Sequence, residues 1–342
     1  MTVARTATAA AVAGLVAVAA WSASLGPRGT ERVAVGAGIS GALAGYEWQL
    51  AATGQDRVPA AVLGAASSVR IAIIDTGADV AAPDIAARNP RTHDARTGSS
   101  GVADANGHGT FVASLAAGFG GGAQLLIVKA GGINGKVTSA DEAAAIRYAV
   151  DAGAKIINLS LAGTSTSALE RRAIRYAADR GTLLVAAVGN ERLRGNPVEY
   201  PAALLQPAGS NGQGGVGLAV AASTRSGTSA AFSNTGSWVS LAAPGEAVFG
   251  ALSGLSSPVA WPRASLPGGT PGLYGYASGS SFAAPEVAGA AALVWSVNTM
   301  LTASQVAQIL KDTASGHGTW TADLGWGVID VASAVARAQL MP

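Results

Sequence analysis

The chain has 342 residues, 49% of them hydrophobic and only 12% charged, with 46 glycines and a formal charge of +2. This is enough apolar mass for one large core, too apolar for a disordered chain, and it lacks the basic stripe that a nucleic acid partner requires. Cysteine is absent, which excludes a disulfide framework, a thiolate metal site and a cysteine nucleophile.

At the N-terminus, Arg5 precedes an apolar, alanine-rich run that gives way to small residues, the plan of a secretory signal peptide over residues 1–24. Cleavage is expected near Ala20 to Ser24. The run is close to the length that spans a bilayer, so a membrane tether through residues 6–24 is the alternative. Both readings place the protein outside the cytoplasm. Residues 25–54, rich in Gly, Ala and Ser without periodicity, read as a linker or N-terminal arm.

Short apolar runs then recur at Val69 to Ile74, Leu125 to Val128, Ile156 to Leu161, Leu183 to Val188, Leu218 to Ala221 and Trp238 to Ala242, and predict buried strands. Between them, helices are predicted over Gly107 to Ala117, Ala140 to Ala152 (capped by Ser139) and Ser167 to Ala178. Helices at Phe282 to Val297, Ala303 to Thr313 and Ile329 to Ala338 close the chain, and Ser253 to Gly272 reads as a surface loop. The alternation predicts an α/β fold: a central parallel sheet with helices on both faces, its ligands bound outside the carboxyl ends of the strands.

The chemistry-bearing residues fall at such ends or at helix starts. Asp75 closes the first strand before Thr76-Gly77, where a carboxylate can orient an imidazole or cap a turn. Of three histidines, His108 stands in Asn106-Gly107-His108-Gly109-Thr110 at the start of an apolar helix and is the candidate general base; His317 reads as a loop residue and His93 as a solvated one. Asn190, after the strand Leu183 to Val188, can donate to an oxyanion or serve a turn. Ser281, in Gly279-Ser280-Ser281-Phe282-Ala283-Ala284-Pro285, lies where a glycine-flanked turn meets a helix, which is a place for a nucleophile.

In the order Asp75, His108, Asn190, Ser281, the motifs IAIIDTG, NGHGTFVAS, IINLSLAG, VAAVGNE and GSSFAAPEVAGAAALV resemble the subtilisin-like serine proteases, the subtilase family. The resemblance covers roughly residues 55–340. It implies a subtilisin-like three-layer catalytic domain and a secreted serine endopeptidase. Ser281 would be its nucleophile, His108 the base and then acid, Asp75 the orienting carboxylate and Asn190 the oxyanion donor. Ser160, Leu161, Ala162 and Gly163 would pair with a protein or peptide substrate held as an extended strand. Single-domain size makes a monomer the expectation.

The chain also departs from the family. Ala162 stands where glycine is usual, and Phe111 replaces a histidine. The chain runs from Ala117 into the next strand without the loop that carries calcium ligands in relatives, so Asp84 is left nearly alone. No cofactor or metal is expected, the strong calcium site being predicted missing; the sequence is silent on weaker ones. Two rivals remain at this level. Asp75-Thr76-Gly77 also resembles the active-site turn of retroviral-type aspartic proteases, which predicts an all-β surround; and an inactive subtilase-fold binding protein would share every feature except turnover.

Overall fold

The computed structural model describes Leu43, residues 45–268, Thr270 and residues 272–342; the signal-peptide segment 1–24 and most of the arm expected over 25–54 lie outside the described residues. Seven strands form one parallel sheet: β1 (Arg70–Asp75), β2 (Arg91–Asp94), β3 (Gln124–Lys129), β4 (Ile156–Leu159), β5 (Leu183–Ala187), β6 (Gly217–Ser223) and β7 (Leu241–Pro244). Their spatial order is β2-β3-β1-β4-β5-β6-β7. The central strands are near-continuous runs of Ile, Leu, Val and Ala because both of their faces are covered.

Among the described residues the helices are α1 (Trp48–Ala52), α2 (Ala60–Ala65), α3 (Pro83–Ala86), α4 (His108–Phe119), α5 (Ser139–Asp151), α6 (Ala168–Ala178), α7 (Ala202–Leu205), α8 (Ser280–Val297), α9 (Ala303–Asp312) and α10 (Val331–Gln339). Alternate strand residues serve the two faces. Ile71 and Ile73 of β1 join the core with α4, α8, α9 and α10, whereas Ala72 and Ile74 face α5 and α6. The fold is the expected three-layer subtilisin-like one, and the helices around Asp75 remove the all-β reading of the Asp-Thr-Gly turn.

α8 is the centre of the first layer: Ser280 to Trp295 are all buried, so its sequence is apolar all round rather than striped. It meets α4 closely because Gly289 has no side chain; a Cβ there would lie 2.5 Å from Phe119 Cβ and 2.6 Å from the Gly120 nitrogen.

Several expected boundaries shift for local reasons. α5 is capped by Thr138, not Ser139: Thr138 has extended backbone and its Oγ1 accepts from Asp141 N–H at 3.1 Å. β4 ends at Leu159, and Ser160 and Leu161 leave the ladder. β7 starts only at Leu241, after a turn in which Val239 N–H donates to the Gly236 carbonyl. α10 begins at Val331, where the Asp330 carboxylate accepts from Ser333 N–H.

Three short strands carried no sequence signal: β2 at the sheet edge, and the antiparallel pair β8 (Val248–Ala251) and β9 (Tyr274–Ala277). His93, on β2, is half-buried rather than fully solvated, its ring stacked on Tyr148 at 3.6 Å between centroids. The segment Ser253 to Gly272 is not wholly surface either. Its Trp261 is buried against Phe111 and donates Nε1–H to the Asn106 carbonyl at 2.7 Å. The described end of the arm packs on β8, with Trp48 Nε1 and Gln49 Nε2 donating to the Ala247 and Phe249 carbonyls at 2.9 and 2.8 Å.

Candidate active site

From β1 the chain passes to the β3 side of the sheet and then to the β4 side, so β1 marks a topological switch point, where an open α/β sheet leaves a crevice at its carboxyl edge. A cleft of about 320 Å³ opens there, and Asp75, His108, Ser160, Asn190 and Ser281 are among its lining residues. Asp75 ends β1, Ser160 follows β4, and Asn190 follows β5 by way of Val188 and Gly189.

His108 is held by backbone packing as much as by its partner. Gly107 caps α4 in the left-handed region at φ +95°, and a Cβ on Gly109 would fall 2.1 Å from the Gly77 carbonyl oxygen. The helix start can therefore press against the Asp75-Thr76-Gly77 turn. Asp104, wholly buried, ties the two segments: its Oδ1 accepts from Thr76 Oγ1 and Gly107 N–H, and its Oδ2 from Thr110 N–H and Oγ1, all at 2.7–2.9 Å.

The result is a 2.8 Å contact between His108 Nδ1 and Asp75 Oδ1, with both residues buried. Asp75 Oδ1 also accepts from Thr76 N–H at 2.7 Å. Burial disfavours the imidazolium, but the Asp75 charge, its hydrogen bond and the Asp104 charge together outweigh burial and raise the histidine pKa above its ordinary value. Among the described residues ring atom Nε2 carries no hydrogen bond.

Ser281 is the second residue of α8, so its N–H belongs to the first turn, where no intrahelical carbonyl claims it and the helix dipole favours negative charge. Asn190 is oriented beside it: Oδ1 accepts from Ser280 N–H at 2.8 Å, which leaves Nδ2 as the free end of the amide. Ser280, by contrast, is spent on structure, its hydroxyl donating to the Gly189 carbonyl and accepting from Gly189 N–H. Of the segment Ser160 to Gly163, Ser160 Oγ donates to the Ser281 carbonyl at 2.6 Å, and Gly163 exchanges both backbone hydrogen bonds with Tyr200 at 3.0 and 2.8 Å.

His317 is exposed and stands in a loop away from the cleft. Phe111, at the position where a histidine is usual, is wholly buried against Trp261 and Phe282. Asp84 is buried beside Glu47 and Tyr274; burial raises it to about 6 against the opposing effects of the Tyr274 hydrogen bond and the Arg88 charge. Glu47 rises to about 8, by burial first and the Asp84 charge second. Two carboxylates fall short of the six to eight oxygens of a calcium cage, and no group of three or more His, Asp or Glu converges among the described residues.

Sequence reasoning missed a set of carboxylates on the cleft wall: Glu142, Glu170, Glu191 and Glu199. The first two stand in the first turns of α5 and α6, so they read as capping residues; Glu170 is indeed in a capping box with Ser167. Beside Asn190, Arg192 and Arg194 form surface pairs with Asp323 and Glu191 at 3.0 and 3.1 Å.

Residues 66–327 match the family described as Peptidase_S8, the subtilase family. The chain belongs to that family. Thermitase of Thermoactinomyces vulgaris is 34% identical over 75% of this subtilase and 85% of its own length. A thermophilic serine proteinase of Bacillus sp. (strain AK1) is 32% identical over 74% of this chain, which spans only 59% of that relative. Among solved structures, fervidolysin from Fervidobacterium pennivorans, a keratinolytic enzyme related to subtilisin, superposes with a TM-score of 0.72 at 26% identity, covering 86% of this chain and 46% of fervidolysin. Among the described residues no helix is long and apolar enough to cross a membrane.

Proposed function

We propose that this subtilase is a secreted serine endopeptidase acting on protein or peptide chains. The observation that carries the reading is the buried 2.8 Å pair of His108 Nδ1 and Asp75 Oδ1 on the same cleft as Ser281. With Nδ1–H donated to Asp75, the neutral ring offers Nε2 as an acceptor, the tautomer a general base needs. His108 Nε2 takes the Ser281 proton as Oγ attacks the scissile carbonyl carbon. The oxyanion is met by Asn190 Nδ2–H and Ser281 N–H, and collapse expels the amine with the proton returned by His108. Water repeats the sequence on the acyl-enzyme.

Substrate lies as an extended strand along Ser160, Leu161, Ala162 and Gly163, whose Gly163 end is braced by Tyr200. No metal or cofactor takes part, and the enzyme acts as a monomer. Hydrolysis of casein by the wild-type protein and by Ser281→Ala tests the reading. A loss on the order of a million-fold is expected, the size known for subtilisin, a relative. Equal rates would leave a binding protein that keeps the fold.

A further inference from the structure

The formal charge of the whole chain is +2, yet four glutamates line the one cleft described above. They form two groups. Glu199 is buried, accepts from Asn234 Nδ2 at 3.1 Å, and lies against Gly189, where a Cβ would be 1.6 Å from its Oε2. Gly189 is the neighbour of Asn190, and Tyr200 pairs with Gly163, so the Glu199 carboxylate is fixed beside the oxyanion donor and the substrate-pairing segment. Glu191 stands on the same wall; its partner Arg194 is 67% exposed and offers little compensation.

The second group is Glu142 with Glu170, brought together where α5 packs on α6. Both are buried, and Oε1 of Glu142 has no hydrogen-bond partner among the described residues. A buried carboxylate without a donor is costly unless something in use supplies one. Of the cations, Lys136 lines the rim and is exposed. Burial first, then the neighbouring glutamate, raises Glu199 to about 7 and pushes Glu142 above the usual carboxylate range. A guanidinium or ammonium entering the cleft supplies the missing donors and draws both carboxyls to their charged form.

We infer that the cleft selects basic peptides: Glu199 and Glu191 receive a lysine or arginine side chain next to the scissile bond, and the Glu142–Glu170 pair receives a second basic side chain farther along the substrate. This rests on the protease reading above. It names the class of substrate, a segment carrying two basic residues, that the backbone-pairing strand alone leaves open.

The test is a set of peptide amides matched except at the residue before the scissile bond, which is Arg, Lys, Leu, Phe or Glu. With Arg or Lys there, kcat/KM should exceed the Leu and Phe values at least tenfold, with Glu the poorest. In Glu199→Gln the Arg-to-Leu ratio should fall roughly a hundredfold, the scale of a buried charge pair that loses one partner. A second Arg scanned through the earlier positions should raise kcat/KM at one of them, and Glu142→Gln with Glu170→Gln should erase that gain. Titration with a serine-directed phosphonate counts correctly folded sites in each variant. Ser281-dependent hydrolysis in which Leu or Phe equals Arg overturns this inference and leaves the protease standing. Absence of any Ser281-dependent hydrolysis or phosphonate labelling overturns both.

Discussion

The hydroxyl of Ser160 donates to the backbone carbonyl of Ser281 at 2.6 Å, a bond that in an ordinary helix would come from the N–H four residues on. That residue is Pro285, which has no N–H. Asn158 Nδ2 in turn donates to Ser160 Oγ at 2.8 Å, so the end of β4 holds the first turn of α8 through two buried hydrogen bonds. Ser160→Ala should cost about 1–3 kcal/mol, since it strands a buried carbonyl and a buried amide. The shift in urea midpoint measures the loss. In a Pro285→Ala background the penalty should shrink, because alanine there supplies the missing N–H; an unchanged penalty in the double-mutant cycle would disconnect the two residues.

Asp75→Asn tests the histidine–aspartate contact through pH. The wild-type His108 pKa is raised, and with the neutral ring as the proposed base kcat/KM should climb with pH through an apparent pKa above the ordinary histidine value. Removing the Asp75 charge should move that acid limb to lower pH and reduce kcat by about 10⁴, as loss of the orienting carboxylate does in other serine proteases. A variant with an unmoved acid limb would contradict the assignment.

Glu286, inside α8, is wholly buried, and neither carboxyl oxygen has a hydrogen-bond partner. Burial holds its pKa well above the usual 4.5. In the unfolded chain the group ionises near 4.5 while the folded protein keeps the proton to higher pH, so wild-type stability is lost progressively as pH rises from there toward the folded pKa. Glu286→Gln removes the titration. Its Tm, measured relative to wild type, should therefore improve between pH 5 and pH 8; a constant difference would mean that Glu286 has a solvated path.

Gly289→Ala places a methyl 2.5 Å from Phe119 Cβ and 2.6 Å from the Gly120 nitrogen, contacts that neither α4 nor α8 can relieve by rotating a side chain. A loss of about 1–3 kcal/mol or more is expected by thermal unfolding. Gly118→Ala is the control: it sits in the same pair of helices with open space around its Cβ position, and should leave Tm unchanged or raise it by the equivalent of up to about 1 kcal/mol.

Apart from the edge strand β2, the main sheet was legible because a strand buried on both faces is written as an uninterrupted apolar run; Asp75 and Asn190 follow such runs, and His108 and Ser281 open apolar helices. The rest is hidden for local reasons. β8 and β9 are four residues each and are interrupted by Gly250 and Gly275, so neither writes an apolar run. The cleft glutamates were masked by a competing local reading: Glu142 and Glu170 fit helix first turns, where acidic residues are favoured anyway, and only the packing of α5 on α6 turns them toward a common space. Asp104 was in plain view within the histidine motif, yet nothing in one dimension says that it would bind Thr76 and Thr110 together. Trp261 was hidden by the Ser, Pro and Gly around it.

α8 fills the middle of one layer but is encoded late in the chain. As the polypeptide emerges from the ribosome, β1 to β7 can be complete while one face of the sheet still lacks its central rod, and Ser281, the nucleophile proposed above, has not yet been placed at that rod's start. The core and the proposed reactive serine are thus finished by the same insertion, so under the proposed mechanism a chain that has not closed its fold has nothing with which to cut itself or its neighbours.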